Sequence, residues 1–155
     1  MMNCQQLKEL VIKPALLDLV MFSDVAMELL VFTCATESQG GSFLKQVSGP
    51  ALGIYQMEPE TYNDIWQNYL KFQPGIMMRL QQSFECNRMP SEDRLIYDLR
   101  FATAMARIKY ERVKEPLPPA ISDASLWNYY KANYNTADGA AEMSESINAY
   151  HRFIA

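Results

Sequence analysis

Residues Ser23 to Gly41 read SDVAMELLVFTCATESQGG, and the architecture is built around them. Ser23 is a favoured helix N-cap, and Asp24 places a negative charge in the first turn, where the helix dipole favours it. From Val25 to Ala35 the segment is apolar on every face except at Glu28. A helix without a polar side has no surface to give to water, so it belongs in the middle of a domain. Gly40-Gly41 marks its end, which puts Glu37 in or just beyond the last turn.

Working outward, a first helix is expected over Gln5 to Phe22, with Pro14 kinking it or opening a second piece. From Gly40 to Pro59 the chain holds four glycines and two prolines. It reads as loop, with a short hairpin near Ile54-Tyr55-Gln56. Helix resumes after Thr61, where Thr61 and Asp64 have capping-box spacing, and runs to about Leu70. Pro74-Gly75 breaks the chain before another helix to about Cys86. Ser91 should cap a long helix reaching Val113, because Leu95, Leu99, Ala102, Met105, Ala106 and Ile108 recur at helical spacing. Glu115-Pro116-Leu117-Pro118-Pro119 is a stiff connector. Last helices are expected over Asp123 to Ala132 and Ala140 to Phe153. The expectation is a mainly α protein, one helical domain over residues 1-155, with a small loop or β-hairpin lobe.

Composition narrows the function classes. The chain has 155 residues, 49% of them hydrophobic and 21% charged, which suits one globular domain with a sizeable core. A net charge of -4 argues against nucleic acid as a partner and against steering to anionic membranes. The N-terminal third is interrupted by Lys8, Glu9, Lys13, Asp18, Asp24 and Glu28, so neither membrane insertion nor a secretory signal is expected. Cys4, Cys34 and Cys86 lack metal-ligand spacing and His151 is the one histidine, so no metal site is expected. A reducing compartment fits these cysteines, with one disulfide left open. Monomer is the default oligomeric state.

Glu37 is the candidate for chemistry. A carboxyl at a helix C-terminus meets the negative end of the dipole, and burial behind an apolar helix raises its pKa. A glycine-rich loop beside it opens one side to a ligand. Such a carboxyl is suited to act as a general acid. Most helix-end glutamates are solvated surface groups, so position alone does not make an acid catalyst.

The surroundings add a pattern. Glu37-Ser38, then Gly53-Ile54-Tyr55-Gln56-Met57-Glu58-Pro59, then Thr61 resembles the signature of lytic transglycosylases and goose-type lysozymes. There a helix ends in Glu-Ser and a loop leads to Gly-Leu-Met-Gln, an apolar pair and Pro-x-Thr. This chain has Ile54 and Tyr55 at the two middle positions. Asn133-Tyr134-Asn135-Thr136 resembles the Tyr-Asn core of the family's Ala-Tyr-Asn-Ala-Gly element. Asn133 stands for the first Ala, and Ala137 stands where the Gly would be.

The resemblance implies a lysozyme-like domain with an active-site cleft, acting on the glycan strands of bacterial peptidoglycan without cofactor or metal. Glu37 would protonate the oxygen linking N-acetylmuramic acid to N-acetylglucosamine. Ser38 would support the site from behind or contact substrate. Gly53 would be a substrate-binding position, Tyr55 and Gln56 would line the floor, and Tyr134 would hydrogen-bond near Glu37, with Asn135 fixing the adjoining turn. Hydrolysis requires a placed water or a second acid, for which Glu58 is the candidate. Without a clear second acid, the transglycosylase outcome is favoured over a hydrolytic endolysin. A non-catalytic wall-binding or virion structural protein is the rival. The absence of a recognisable signal suits a bacteriophage lysis or virion enzyme. The aromatic residues read mostly as core packing, with Tyr55, Tyr62 and Tyr134 nearest the cleft and Trp66 in the core.

Overall fold

The computed structural model describes residues 1–135 and 139–155, and it is mainly helical. The apolar stretch forms α3 (Asp24–Ser38), capped by the Ser23 hydroxyl, which accepts from the Ala26 N–H at 3.1 Å. Residues Leu29 through Ala35 are all buried. Two polar groups that this helix carries inward, Glu28 and Thr33, are paired, as burial demands. Glu28 meets Lys8 at 3.0 Å and accepts from the Tyr150 hydroxyl at 2.7 Å. Thr33 donates to the Leu29 carbonyl and bonds the Tyr110 hydroxyl at 2.8 Å. The helix stops because Gln39, ahead of Gly40-Gly41, takes the left-handed conformation with φ 52°.

Other helices wrap this axis. The N-terminal rod joins α1 (Cys4–Leu7), a wide π turn (Lys8–Ile12) and α2 (Lys13–Asp18). Pro14 has no N–H for an i−4 bond, and the wide turn just before it absorbs that defect. The rod ends four residues short of Phe22, with Val20 at φ 57°. Helix α4 (Pro59–Asn68) starts at Pro59, earlier than expected, since proline suits the first helical position. Asp64 therefore caps nothing; it pairs with Arg112 at 2.5 Å and accepts from Asn68 at 2.6 Å. A short 3-10 turn (Leu70–Phe72) leads to α5 (Pro74–Phe84).

The expected long helix from Ser91 to Val113 is two helices, α6 (Arg94–Tyr97) and α7 (Leu99–Glu111). Asp98 divides them. It sits in extended conformation, accepts from the Phe101 N–H at 3.0 Å and holds Arg94 at 3.0 Å. A capping side chain here outweighs the helical periodicity around it. Helix α8 (Asp123–Tyr130) runs on into a second wide turn, Lys131–Asn135, and α9 (Met143–Ile154) closes the chain. The expected break at Tyr134-Asn135 is thus a continuation of helix; Thr136 lies outside the described residues.

The lobe between α3 and α4 is loop. Isolated antiparallel bridges link Lys45 with Leu52 and Leu52 with Met57, and no strand forms among the described residues. The expected hairpin near Ile54-Tyr55-Gln56 is absent. Ala51 through Tyr55 are all buried, whereas a half-exposed strand would alternate. Gly53 and Gln56 turn the chain instead, with φ 78° and 48°. No helix of the described residues is long and apolar enough to cross a membrane.

Candidate active site

Glu37 is half-buried at the last turn of α3, on the wall of a cleft of about 980 Å³. Thr36, Gln39, Gln46, Ala51, Gln56, Glu58 and Thr61 line the cleft from α3, the lobe and α4. Lys109 of α7 and Tyr130, Tyr134 and Asn135 of α8 and its extension form a further wall, and Glu142, just before α9, joins Glu145 and Arg152 of that helix.

The Tyr130 hydroxyl donates to Glu37 Oε1 at 2.6 Å. Burial pushes the Glu37 carboxyl above the usual carboxylate range. The Tyr130 hydrogen bond opposes that rise first, followed by Lys109, Asn135 and Lys131. Desolvation outweighs them, which is the condition for keeping a proton on a carboxyl. Lys109 is pushed down to about 8 by its own burial, against the pull of Glu37 and Glu58. Its ammonium donates to the Tyr134 carbonyl at 2.9 Å and lies 3.8 Å from the centre of the Tyr134 ring.

The structure gathers Glu37, Gln56, Glu58, Tyr134 and Asn135 around one cleft. Three expected site residues stand behind it. The Ser38 side chain is buried, donates to the Cys34 carbonyl and accepts from the Gly41 N–H at 2.9 Å. It holds the end of α3 and does not face the cleft. Tyr55 is buried with its hydroxyl on Thr103 at 2.9 Å, so it is no floor for a ligand. Gly53 is a packing position, because a Cβ there would stand 2.2 Å from the Leu95 carbonyl oxygen. Tyr62 is buried too, its hydroxyl on the Pro90 carbonyl at 2.7 Å, and Trp66 is in the core.

Tyr134 does not bond Glu37; its hydroxyl donates to the Tyr55 carbonyl at 2.7 Å. Tyr130, one helical turn earlier, takes the Glu37 contact. Asn135 accepts from Lys131 at 2.8 Å and from the Ala141 N–H at 3.3 Å, bracing the chain before α9. Gln56 donates from Nε2 to the Gly53 carbonyl at 2.8 Å, which supports its own left-handed backbone.

Sequence reasoning missed Tyr130 and Lys109. Tyr130 could have been found as the i−4 neighbour of Tyr134 on the same helical face. Lys109 carried no local signal, since a lysine near a helix end reads as solvated. The Thr36 hydroxyl, next to Glu37, is buried and has no partner among the described residues, unlike Thr33 and Ser38 of the same helix. Among the described residues no three His, Cys, Asp or Glu side chains converge to hold a metal ion. His151 pairs with Asp123 at 2.9 Å on the surface and is no part of the cleft.

Fold and site together define a mainly helical protein with a desolvated carboxyl in a large open cleft. No protein-family model matches the chain, and neither curated proteins nor solved structures provide a match.

Proposed function

We propose that the protein is a peptidoglycan-cleaving muramidase with a lysozyme-like domain, acting as a lytic transglycosylase through Glu37. One observation carries this reading: Glu37, the Glu of the Glu-Ser motif, is desolvated, is hydrogen-bonded by Tyr130 and walls a cleft sized for an extended ligand. Gln56 and Thr61 of the second motif and Tyr134 and Asn135 of the third line that cleft.

In this mechanism the protonated Glu37 gives its proton to the glycosidic oxygen between N-acetylmuramic acid and N-acetylglucosamine. The bond from that oxygen to the muramic acid C1 breaks, and positive charge develops on C1. The Glu37 carboxylate then takes the proton from the primary hydroxyl of the same sugar. That oxygen closes on C1 as an anhydro ring, and no water is consumed. A single residue serves as acid and then base, which suits a carboxyl whose burial favours the protonated form. Delivery to the wall by a bacteriophage, during lysis or with the virion, fits this activity.

Hydrolysis is the second reading, favoured by the presence of the Glu58 carboxylate on the same cleft. Digestion of purified peptidoglycan followed by mass spectrometry separates the two. Anhydro-muramic ends are expected. Reducing ends, heavier by one water, would replace the transglycosylase reading with hydrolysis and direct attention to Glu58. No release from several wall types would sink the enzyme reading in favour of a wall-binding or virion structural role.

A further inference from the structure

Two lysines influence Glu37, and they are held in different ways. The Lys131 ammonium is spent on oxygens: Asn135 Oδ1 at 2.8 Å, the Gly139 carbonyl at 3.0 Å and the Ala141 carbonyl at 3.1 Å. That accounts for all its hydrogens, so it works as a clamp across the turn before α9. Lys109 makes one such bond among the described residues, to the Tyr134 carbonyl, and its ammonium stands over the Tyr134 ring. It lines the cleft with Glu37 and Glu58, and both carboxylates act on its charge.

We propose that Lys109 is the electrostatic partner of Glu37, a positioning residue whose fixed cation stabilises the carboxylate that Glu37 becomes once it has given up its proton. This rests on the reading of Glu37 as the acid. The geometry makes the role specific. Tyr134 is buried and anchored through its hydroxyl to the Tyr55 carbonyl, so the ring and carbonyl that seat Lys109 cannot follow the ammonium if it moves. A charge held in place by a rigid support needs little reorganisation as negative charge develops opposite it, the condition under which electrostatic catalysis is strongest.

The other groups facing Glu37 do not duplicate this role. Tyr130 and Asn135 are neutral hydrogen-bonding groups, and Tyr110 is neutral and paired with Thr33. Glu58 from the lobe, Glu142 just before α9 and Glu145 of that helix carry charge of the wrong sign. Arg152 of α9 lines the same cleft. Burial tends to strip Lys109 of its charge, with its pKa pushed down to about 8, and Glu37 ionised beside it favours the charged form. Each group therefore supports the charged form of the other.

The test follows the carboxyl 13C shift of Glu37 against pH in wild type, Lys109→Met, Lys109→Gln and Lys109→Arg, assigned by its loss in Glu37→Gln. The midpoint is expected to rise in both neutral variants and to return toward wild type in Lys109→Arg. Lys131→Met should move it less. Turnover of peptidoglycan should fall about 10- to 100-fold in Lys109→Met with little change in KM. Lys109→Gln can still donate to the Tyr134 carbonyl, so it keeps the test open if the methionine variant does not fold. An unmoved Glu37 midpoint in a folded neutral variant, or a larger shift from Lys131→Met, would overturn the proposal. Absence of muropeptide release by wild type would instead remove the enzymatic reading, and the titration still decides whether the charges are coupled.

Discussion

At the scale of single residues, the carboxyl of Glu37 and the hydroxyl of Tyr130 set the chemistry. Glu37→Gln keeps the shape and can accept from Tyr130, so it should abolish cleavage while far-UV circular dichroism and Tm remain close to wild type; retained turnover would remove Glu37 as the acid. Its pKa is raised by burial, so activity that needs the protonated carboxyl is present at lower pH and is lost as pH rises through the raised value. The Tyr130 hydrogen bond stabilises the ionised form and so opposes the rise. Tyr130→Phe should therefore carry the alkaline fall in activity to higher pH. A carboxylate hydrogen bond of this kind is worth about 1.5–3 kcal/mol, much of which should appear as lost stability in urea titrations of the variant at neutral pH. A fall displaced to lower pH would mean that the hydroxyl acts in another way.

At the scale of elements, the lobe between α3 and α4 depends on close backbone contact. Gly53 has φ 78°, and any Cβ there would collide with the Leu95 carbonyl of α6. Backbone cannot yield as a flexible side chain does. Gly53→Ala is expected to cost about 3 kcal/mol, read as a lower denaturation midpoint, with the cleft wall at Gln56 displaced and cleavage weakened. Wild-type stability in this variant would show that α6 can shift away. These elements also show how far local sequence reads. Ser23 was legible as a cap because a hydroxyl at an N-terminus satisfies its own chain. Helix α3 was legible because an apolar surface on all sides has one place to go. The division at Asp98 was not, since that residue bonds Phe101 and Arg94 and the choice between cap and helix interior depends on what packs nearby. Nor was the missing hairpin, because what the stretch meets is distant in sequence: Gly53 lies against Leu95 of α6 and Tyr55 bonds Thr103 of α7.

At the scale of the whole molecule, buried hydroxyls tie distant segments together. Tyr55 reaches Thr103, Tyr110 reaches Thr33, Tyr134 reaches the Tyr55 carbonyl, and Tyr150 joins α9 to Glu28 of α3. Burial raises Tyr55, Tyr110 and Tyr134 well above the ordinary tyrosine value of 10. In the unfolded chain they would ionise near 10, so the stability they lend is full below that value and is lost as pH climbs beyond it. Lys109 works the other way. Its folded value of about 8 lies below the ordinary 10.5, so the cost of burying its cation is relieved as pH rises between the two. The buried Cys34 thiol, raised from 9 to about 12, removes stability over the range in which Lys109 restores it, so the loss should become steep only above pH 10. That loss should coincide with tyrosinate absorbance and loss of helical signal; tyrosinate appearing well before unfolding would show that the three hydroxyls are reachable by solvent.

The helical class, the central place of α3 and the position of Glu37 near its end are legible from the chain alone. Each follows from contacts within a few residues, such as a cap, an apolar circumference or a left-handed stop. The motif also marked Gln56, Glu58, Tyr134 and Asn135, which the fold brings to one cleft. Packing settled that Ser38, Gly53 and Tyr55 stand behind the cleft, that Tyr130 holds the carboxyl and that Lys109 lines the same cleft. Those outcomes depend on the direction of side chains from helices distant in sequence, and spacing along the chain does not encode it. Tyr130 and Glu37 are 93 positions apart, and their hydrogen bond forms because α8 packs against the end of α3.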